Sequence, residues 1–461
     1  MLASVLACAA WAAGNDTYTV IVSCDGLRWD YAECFDMPFF DRLAKEGVKA
    51  VIQPSFPSKT FPNHYTLATG LYPDHHGIIA NTFRPVGSDK KYSIGSEEAR
   101  KGEHYGGDPI WLTAKRQGVN TATVYWVGSD VKINGEYPNY WQDYRKKPLL
   151  KPEERVDKVI ELLNMPEDKR PHLVMCYFEE PDHSGHSYGP NSKKTRKAIE
   201  GLDELLWKLW ARLKAIPQIG DKINLIITGD HGMAWLSDLR VVRSDNYINK
   251  DWIEHFDGDN PALIYTSKPE YADSIINALQ GVDHIRAWKK GELPDYLHYG
   301  TNKNMSDVVV VPDLGWVFRN NTKVNGGTHG WDPTYSDMLV GFRAIGPDFK
   351  VGYVRAGTFR NVCIYPLLAH LLGITQQKAP SRRPLRTPPC PCSCPRRMSL
   401  CSCFSAVSPV PCRSFRRRIC RPSPKDPPPY FLKLIGGSSP CMSLFMFALC
   451  LMIITIAITA A

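Results

Sequence analysis

No two cysteines in the 461-residue chain stand three positions apart, so the C-x2-C pairs that structural zinc sites favour are missing. The body of the chain also lacks a basic surplus. Residues 378–461 carry thirteen Lys/Arg against one acid, Asp426, so the formal net charge of +9 leaves −3 on residues 1–377. A slightly acidic body argues against sequence-specific nucleic-acid binding, which needs basic residues on the folded domain itself. No Lys or Arg occurs in the first thirteen residues, "MLASVLACAAWAA", and no charge of either sign in the last twenty, "MSLFMFALCLMIITIAITAA". The first run has the small-residue ending of an export signal without its basic start, a buried first strand being the alternative. The second is long enough to cross a bilayer.

The chain therefore divides into a signal-like segment at 1–14, a catalytic-sized domain at 15–376, a Pro/Arg/Cys-rich tail at 377–440 and a hydrophobic segment at 441–461, a candidate membrane anchor. Nine of fourteen cysteines lie at or beyond Cys390 and are read as unpaired; the tail has too little apolar surface to fold by itself. Sequons at Asn15, Asn304 and Asn320 fit an exported protein, extracellular, periplasmic or at the cell surface. Within the body, "YTVIVSC" (18–24), "TATVYWV" (121–127), "HLVMCYF" (172–178), "INLIIT" (223–228) and "DVVVVP" (307–312) are short, apolar and β-branched. Between them, "EERVDKVIELLN" (153–164) and "KAIEGLDELLWKLWARLK" (197–214) repeat apolar residues at three and four. Apolar strands alternating with amphipathic helices predict an α/β sandwich, a mainly parallel central sheet with helices on both faces.

Three of these strands run into ligand-type residues: "TVIVSCDG" into Asp25, "HLVMCYFEEPDHSGH" into Asp182 and His186, and "INLIITGDHG" into Asp230 and His231. Loops at the carboxyl ends of parallel strands share one rim, so distant segments bring carboxylates and imidazoles to one place. Singly, each is an ordinary turn residue; together, crowded carboxylates repel unless cations hold them. "NGGTHGWDP" (325–333) adds His329 between glycines, and an Asp/His set without thiolate favours zinc. His183, beside Asp182, competes with His186 for the ligand position. His64, His75 and His76 also fall near these motifs.

Set in order along residues 18–375, "DG", "KTFPNHYTLATGLYPDHHGI", "EEPDHSGHSYGP", "TGDHGM" and "THGWDP" resemble the nucleotide pyrophosphatase/phosphodiesterase family of the alkaline phosphatase superfamily. The resemblance implies two zinc ions, one on Asp182, His186 and His329, the other on Asp25, Asp230, His231 and Thr60. It also implies that Thr60 of "PSKTFPNHY" (57–65) is the nucleophile, its hydroxyl made acidic by the metal. Asn81, with the Thr60 backbone N–H, would support a non-bridging phosphoryl oxygen. Phe61 and Tyr144 would sandwich a base, Trp126 and Asp130 finishing the pocket wall; core packing is the alternative for the three aromatics. The polar stretch between Asn81 and Trp111 is similar to the insertion of nucleotide-cleaving members, which points to a nucleotide or other small phosphodiester and a nucleoside monophosphate product. A choline-phosphate lipid phosphodiesterase and a silent surface binding protein are the alternatives. The loop lacks the C/S-x-P-x-R signature of a sulfatase.

Overall fold

The structure, a computed structural model, describes residues 16–377 apart from residue 322. The expected export segment at 1–14, the tail from 378 and the hydrophobic segment at 441–461 lie outside the described residues. No helix among the described residues is long and apolar enough to cross a membrane. The two main sheets are built from β1 (Tyr18–Cys24), β2 (Val48–Gln53), β3 (Thr121–Val124), β4 (Tyr140–Gln142), β5 (Leu173–Phe178), β6 (Ile223–Thr228), β7 (Ile253–Asp257), β8 (Ala262–Thr266), β9 (Ile285–Lys289), β10 (Val308–Pro312), β11 (Val340–Ile345) and β12 (Tyr353–Arg360). The helices that matter here are α1 (Pro38–Glu46), α2 (Thr60–Thr69), α3 (Pro152–Leu163), α4 (Asp182–Tyr188), α5 (Lys193–Lys214) and α6 (Tyr271–Leu279), with α7 (Ile364–Leu371).

The central sheet has eight strands in the order β12–β2–β11–β6–β1–β5–β3–β4. All neighbours are parallel except β11, which runs antiparallel to both β2 and β6. Every residue of β1 is buried, as a strand covered on both faces must be. Val20, Val22, Val174, Cys176, Leu225 and Ile227 face one layer, where α1, α3 and α5 pack. Ile21, Met175 and Ile226 face the other, with Tyr65 of α2 and Leu368 of α7. Truncating a side chain such as Ile226 to alanine would cost about 2–5 kcal/mol, since a packed sandwich collapses little around a hole.

α5 shows how the sequence specifies its own elements. Ser192 caps it, its side chain accepting from the Thr195 N–H; Ile199, Leu202, Leu206, Leu209 and Leu213 recur at three and four on the buried face; Arg212 and Lys214 sit at the negative end. α3 starts on Pro152, a residue suited to the first helical turn.

Two strand expectations need correction. The strand at 121–127 stops at Val124, because Tyr125 turns the chain with φ of 63°. "DVVVVP" is not in the central sheet. As β10 it belongs to a separate antiparallel sheet, β7–β8–β10–β9. It is apolar throughout because Val309 and Val311 pack into the main core, while Val308 and Val310 pack with Ile275 of α6. Of the sequons, Asn304 is buried and its Oδ1 accepts from the Val86 N–H, whereas Asn320 is exposed.

Candidate active site

The pairings Ile21↔Met175 and Ile21↔Ile226 bring the ends of β1, β5 and β6 level. Asp25, Asp182 and Asp230 emerge from those ends on a common rim. Asp25 N–H donates to Phe178 O at 2.9 Å and Asp182 N–H to Asp25 O at 2.9 Å, so the first two loops are hydrogen-bonded directly. Gly26, at φ of 69°, has no side chain because a Cβ there would lie 3.0 Å from Asp182 Cα. Its N–H donates to Asp230 Oδ1 at 3.1 Å. On α4, Asp182 and His186 stand four apart and so share a face.

Thr60 is the first residue of α2. Asn63 fixes the loop before it, accepting from the Ser55 N–H and donating to Pro57 O and Lys59 O. At this helix start the Phe61 N–H donates to Asn81 Oδ1 at 2.9 Å, Pro62 has no N–H, and the Asn63 N–H returns to Lys59 O. The Thr60 N–H is thus left as a donor at the positive end of the helix. Asn81 spends its oxygen on Phe61 and keeps its amino group for another acceptor.

Around Thr60 Oγ1 the imidazoles share one arrangement. Each Nδ1 faces a backbone carbonyl: His186 with Gly327 at 2.8 Å, His231 with Gly232 at 2.8 Å, His329 with Ser58 at 2.7 Å. A carbonyl only accepts, so each Nδ1 carries the proton and each Nε2 points a lone pair into the site. His186 Nε2 and His329 Nε2 lie 3.2 Å apart, and both are 3.3–3.6 Å from Asp182 Oδ1. His231 Nε2 lies 3.1 Å from Asp230 Oδ2, 3.3 Å from Asp25 Oδ1 and 3.2 Å from Thr60 Oγ1. The rings of His231 and His329 stack at 3.4 Å.

Asp25 Oδ1, Asp182 Oδ1 and Asp230 Oδ2 are buried without a hydrogen-bond partner. Burial, then repulsion from Asp230 and Asp182, pushes the Asp25 carboxyl well above the usual range. Burial also raises Asp182, against the pull of His186 and His231. Burial acts the same way on Asp230, but His231 and His64 outweigh it and hold this carboxyl well below the usual range. Acceptor lone pairs facing one another, with orphaned carboxylate oxygens between them, form a donor set that divalent cations satisfy. Asp182/His186/His329 is one compact group of potential ligands; Asp25 is shared by two others, with Asp182 and His231 and with His64 and Asp230.

All seven residues assigned to metal contact are thus brought together. His183 is exposed on α4 and belongs to none of these groups, whereas His186 belongs to one. His76 is buried elsewhere, against Thr66 Oγ1 and Pro62 O, and burial pushes it down to about 3. The substrate-pocket residues divide. Phe61 is half-buried, its edge toward Tyr92 at 6.4 Å. Tyr144 is 37% exposed, with its hydroxyl 3.4 Å from Glu179 Oε1. The two rings make no contact with each other among the described residues. Asp130 is half-buried, and burial raises its carboxyl against the pull of Arg100. Trp126 departs from the pocket-wall expectation. It is 1% exposed, its Nε1 donates to His64 O at 3.1 Å, and it supports α2 from within the core. A cavity of about 430 Å³, lined by Tyr140, Asp143, Lys158 and Leu162 among others, contains none of the seven.

Sequence reasoning missed three supporting side chains. Tyr177 donates to Asp25 Oδ2 at 2.7 Å. Lys59 Nζ donates to His329 O at 2.5 Å, Ser58 Oγ donates to Trp331 O at 2.9 Å, and with the His329 Nδ1–Ser58 bond these stitch the Thr60 loop to the His329 loop. Gly330 must be glycine there: at φ of 124°, a Cβ would lie 2.2 Å from Asn260 O and 2.4 Å from Lys59 Cε. Lys59 and Tyr177 sit inside quoted motifs, but only cross-chain contacts reveal their partners.

The chain is similar to known proteins. The sequence profile of the family described as type I phosphodiesterase / nucleotide pyrophosphatase matches residues 19–332. Venom phosphodiesterase 2 of Crotalus adamanteus is 36% identical over 369 residues, 77% of this chain and 45% of that protein. Human ectonucleotide pyrophosphatase/phosphodiesterase family member 5 is 34% identical over 363 residues, 77% of this chain and 74% of that protein. The chain thus spans less than half the length of the venom relative. Murine ectonucleotide pyrophosphatase/phosphodiesterase 5 superimposes with a TM-score of 0.74 at 33% identity, covering 78% of this chain and 96% of that one; a further structure is of an inactive threonine-to-alanine variant in complex with AMP. By sequence and by fold, this chain belongs to the type I phosphodiesterase / nucleotide pyrophosphatase family.

Proposed function

We propose that the protein hydrolyses phosphodiester and pyrophosphate bonds of nucleotides through a phospho-threonine on Thr60, releasing a nucleoside monophosphate. The observation that carries this reading is the convergence of three lone-pair imidazole nitrogens and three unpartnered carboxylate oxygens on the space beside Thr60 Oγ1. Two zinc ions, one for Asp182, His186 and His329 and one for Asp25, Asp230, His231 and Thr60, would supply Lewis acidity at phosphorus and an acidified hydroxyl.

The chain's own residues do the rest. α2 holds Thr60 at its positive end and directs the hydroxyl into the donor set. Oγ1 gives up its proton to solvent and forms a bond to phosphorus as the bond to the leaving oxygen breaks, and the leaving group departs as phosphate, as pyrophosphate, or as an alcohol after taking up a proton. The Thr60 N–H and the Asn81 amino group are the donors for the charge growing on a non-bridging oxygen, and both are held before substrate arrives. Water then cleaves the phospho-threonine ester and restores the hydroxyl.

A nucleotide suits the surroundings better than a choline-phosphate lipid. The 84–109 stretch places Tyr92 against Phe61, directly after the nucleophile, so this insertion supports the face offered to a base. AMP bound to the inactive murine relative supports the same substrate class. A silent binding protein would have no need to keep all seven positions competent. The relatives' names, venom and ecto-, support an exported location. The decisive experiment is Thr60→Ala, assayed with thymidine 5′-(p-nitrophenyl phosphate) alongside metal content. Turnover should disappear while two zincs remain bound; full turnover with two zincs would overturn the assignment.

A further inference from the structure

The site has a further histidine that the mechanism does not use. His64 lies one turn after Thr60 on α2, is fully buried, and is enclosed edge-on by Trp126 at 5.4 Å and Tyr177 at 5.2 Å. Its Nε2 lies 2.8 Å from Ser23 Oγ; its Nδ1 lies 3.0 Å from Thr60 O and 3.3 Å from Asp230 Oδ2. Two chemistries suggest themselves on distance alone. His64 with Asp25 and Asp230 forms a compact group of potential metal ligands. Ser23, His64 and Asp230 have the connectivity of a serine hydrolase triad.

The contacts exclude both. Ser23 and His64 have no exposed surface and Asp230 is 1% exposed, so no ester could reach Ser23 Oγ. The ligand reading fails on the proton. Nδ1 faces two acceptors, a backbone carbonyl and a carboxylate, so it is the protonated nitrogen and has no lone pair to offer. Nε2, the nitrogen with a lone pair, is turned away from the site toward the Ser23 hydroxyl, which donates to it. This is the reverse of His186, His231 and His329, whose Nδ1 protons go outward to carbonyls and whose Nε2 lone pairs point in.

We infer that His64 is a positioning residue: an imidazole oriented by Ser23 with its Nδ1–H toward the Thr60 carbonyl, which it holds while keeping Asp230 in place for the metal shared by Asp25, Asp230 and His231. The inference rests on the proposed two-metal reading, and its test separates the two. Zinc binding is measured by chelator competition on the full chain and on His64→Asn, His64→Leu and Ser23→Ala. Asparagine places an amide N–H near the Nδ1 position; leucine offers no donor. Leucine should weaken one of the two zincs about 10–100-fold, the loss typical when a group orienting a ligand is removed. Asparagine should stay within about threefold of the parent, and Ser23→Ala should fall between the two. The zinc on Asp182, His186 and His329 should keep its affinity throughout, which shows that the variants are folded. Equal loss with asparagine and leucine would make His64 a ligand, and no loss with leucine would make it a bystander; either overturns the inference. A parent chain binding fewer than two zincs would instead overturn the metal reading.

Discussion

Tyr177→Phe tests the support of the proposed metal ligands with the smallest change available. The hydroxyl donates to Asp25 Oδ2 at 2.7 Å, while Asp25 Oδ1 has no hydrogen-bond partner. Removing one oxygen atom leaves the ring packed edge-on against His64 and opens almost no cavity. A hydrogen bond to a charged group contributes about 1.5–3 kcal/mol. At about 1.4 kcal/mol per factor of ten, zinc affinity should fall about 10–100-fold at the Asp25 site. Competition with a chromophoric chelator measures this directly. Turnover at saturating zinc should return to within a few-fold of the parent, because the hydroxyl orients a ligand and does not touch substrate. Unchanged zinc affinity would refute the reasoning, and so would activity that stays low after zinc is restored.

Three further outcomes are expected. Gly330→Ala should destabilise the fold by more than about 2 kcal/mol, since positive φ and backbone contact oppose a Cβ there, whereas Gly341→Ala, whose Cβ would meet nothing closer than 3.8 Å, should be tolerated; thermal unfolding compares them. Tyr144→Ala should raise KM for a nucleoside phosphodiester about 5–100-fold while leaving methyl p-nitrophenyl phosphate nearly unchanged, as loss of base stacking requires. Glu98 experiences opposing effects: burial raises its pKa, but bonds from Lys101, His104 and Ser88 prevail and bring it from 4.5 down to about 2. A depressed carboxyl stabilises the fold above its unfolded pKa and loses that contribution as pH falls toward the folded value. Glu98→Gln should therefore flatten the dependence of stability on pH between about 4.5 and 2, measured by denaturant unfolding at each pH.

The catalytic rim was legible because it rests on a one-dimensional rule. A strand buried on both faces is apolar at every position, and the first polar residues after it must lie at its end, so Asp25, Asp182 and Asp230 could be placed together without coordinates. The same rule misassigned β10, which is equally apolar because two different cores cover it. Trp126 was indistinguishable from a pocket aromatic, since side-chain type does not say which face a turning chain presents. Lys59, Tyr177 and His64 each act on a partner roughly 150 to 270 residues away. Local spacing carries no record of such pairs.

β11 fills the gap between β2 and β6, although it comes from residues 340–345 and its neighbours from residues 48–53 and 223–228. Until that late segment is made, the early strand has nothing to join on that side, and the two portions of the sheet stay apart. His329 precedes it by only eleven residues. A ribosome must therefore finish nearly the whole domain before the segments carrying Asp25, Asp182, Asp230 and His329 can meet, and a message cut short ahead of this point yields a polypeptide with most of these residues and an unassembled rim.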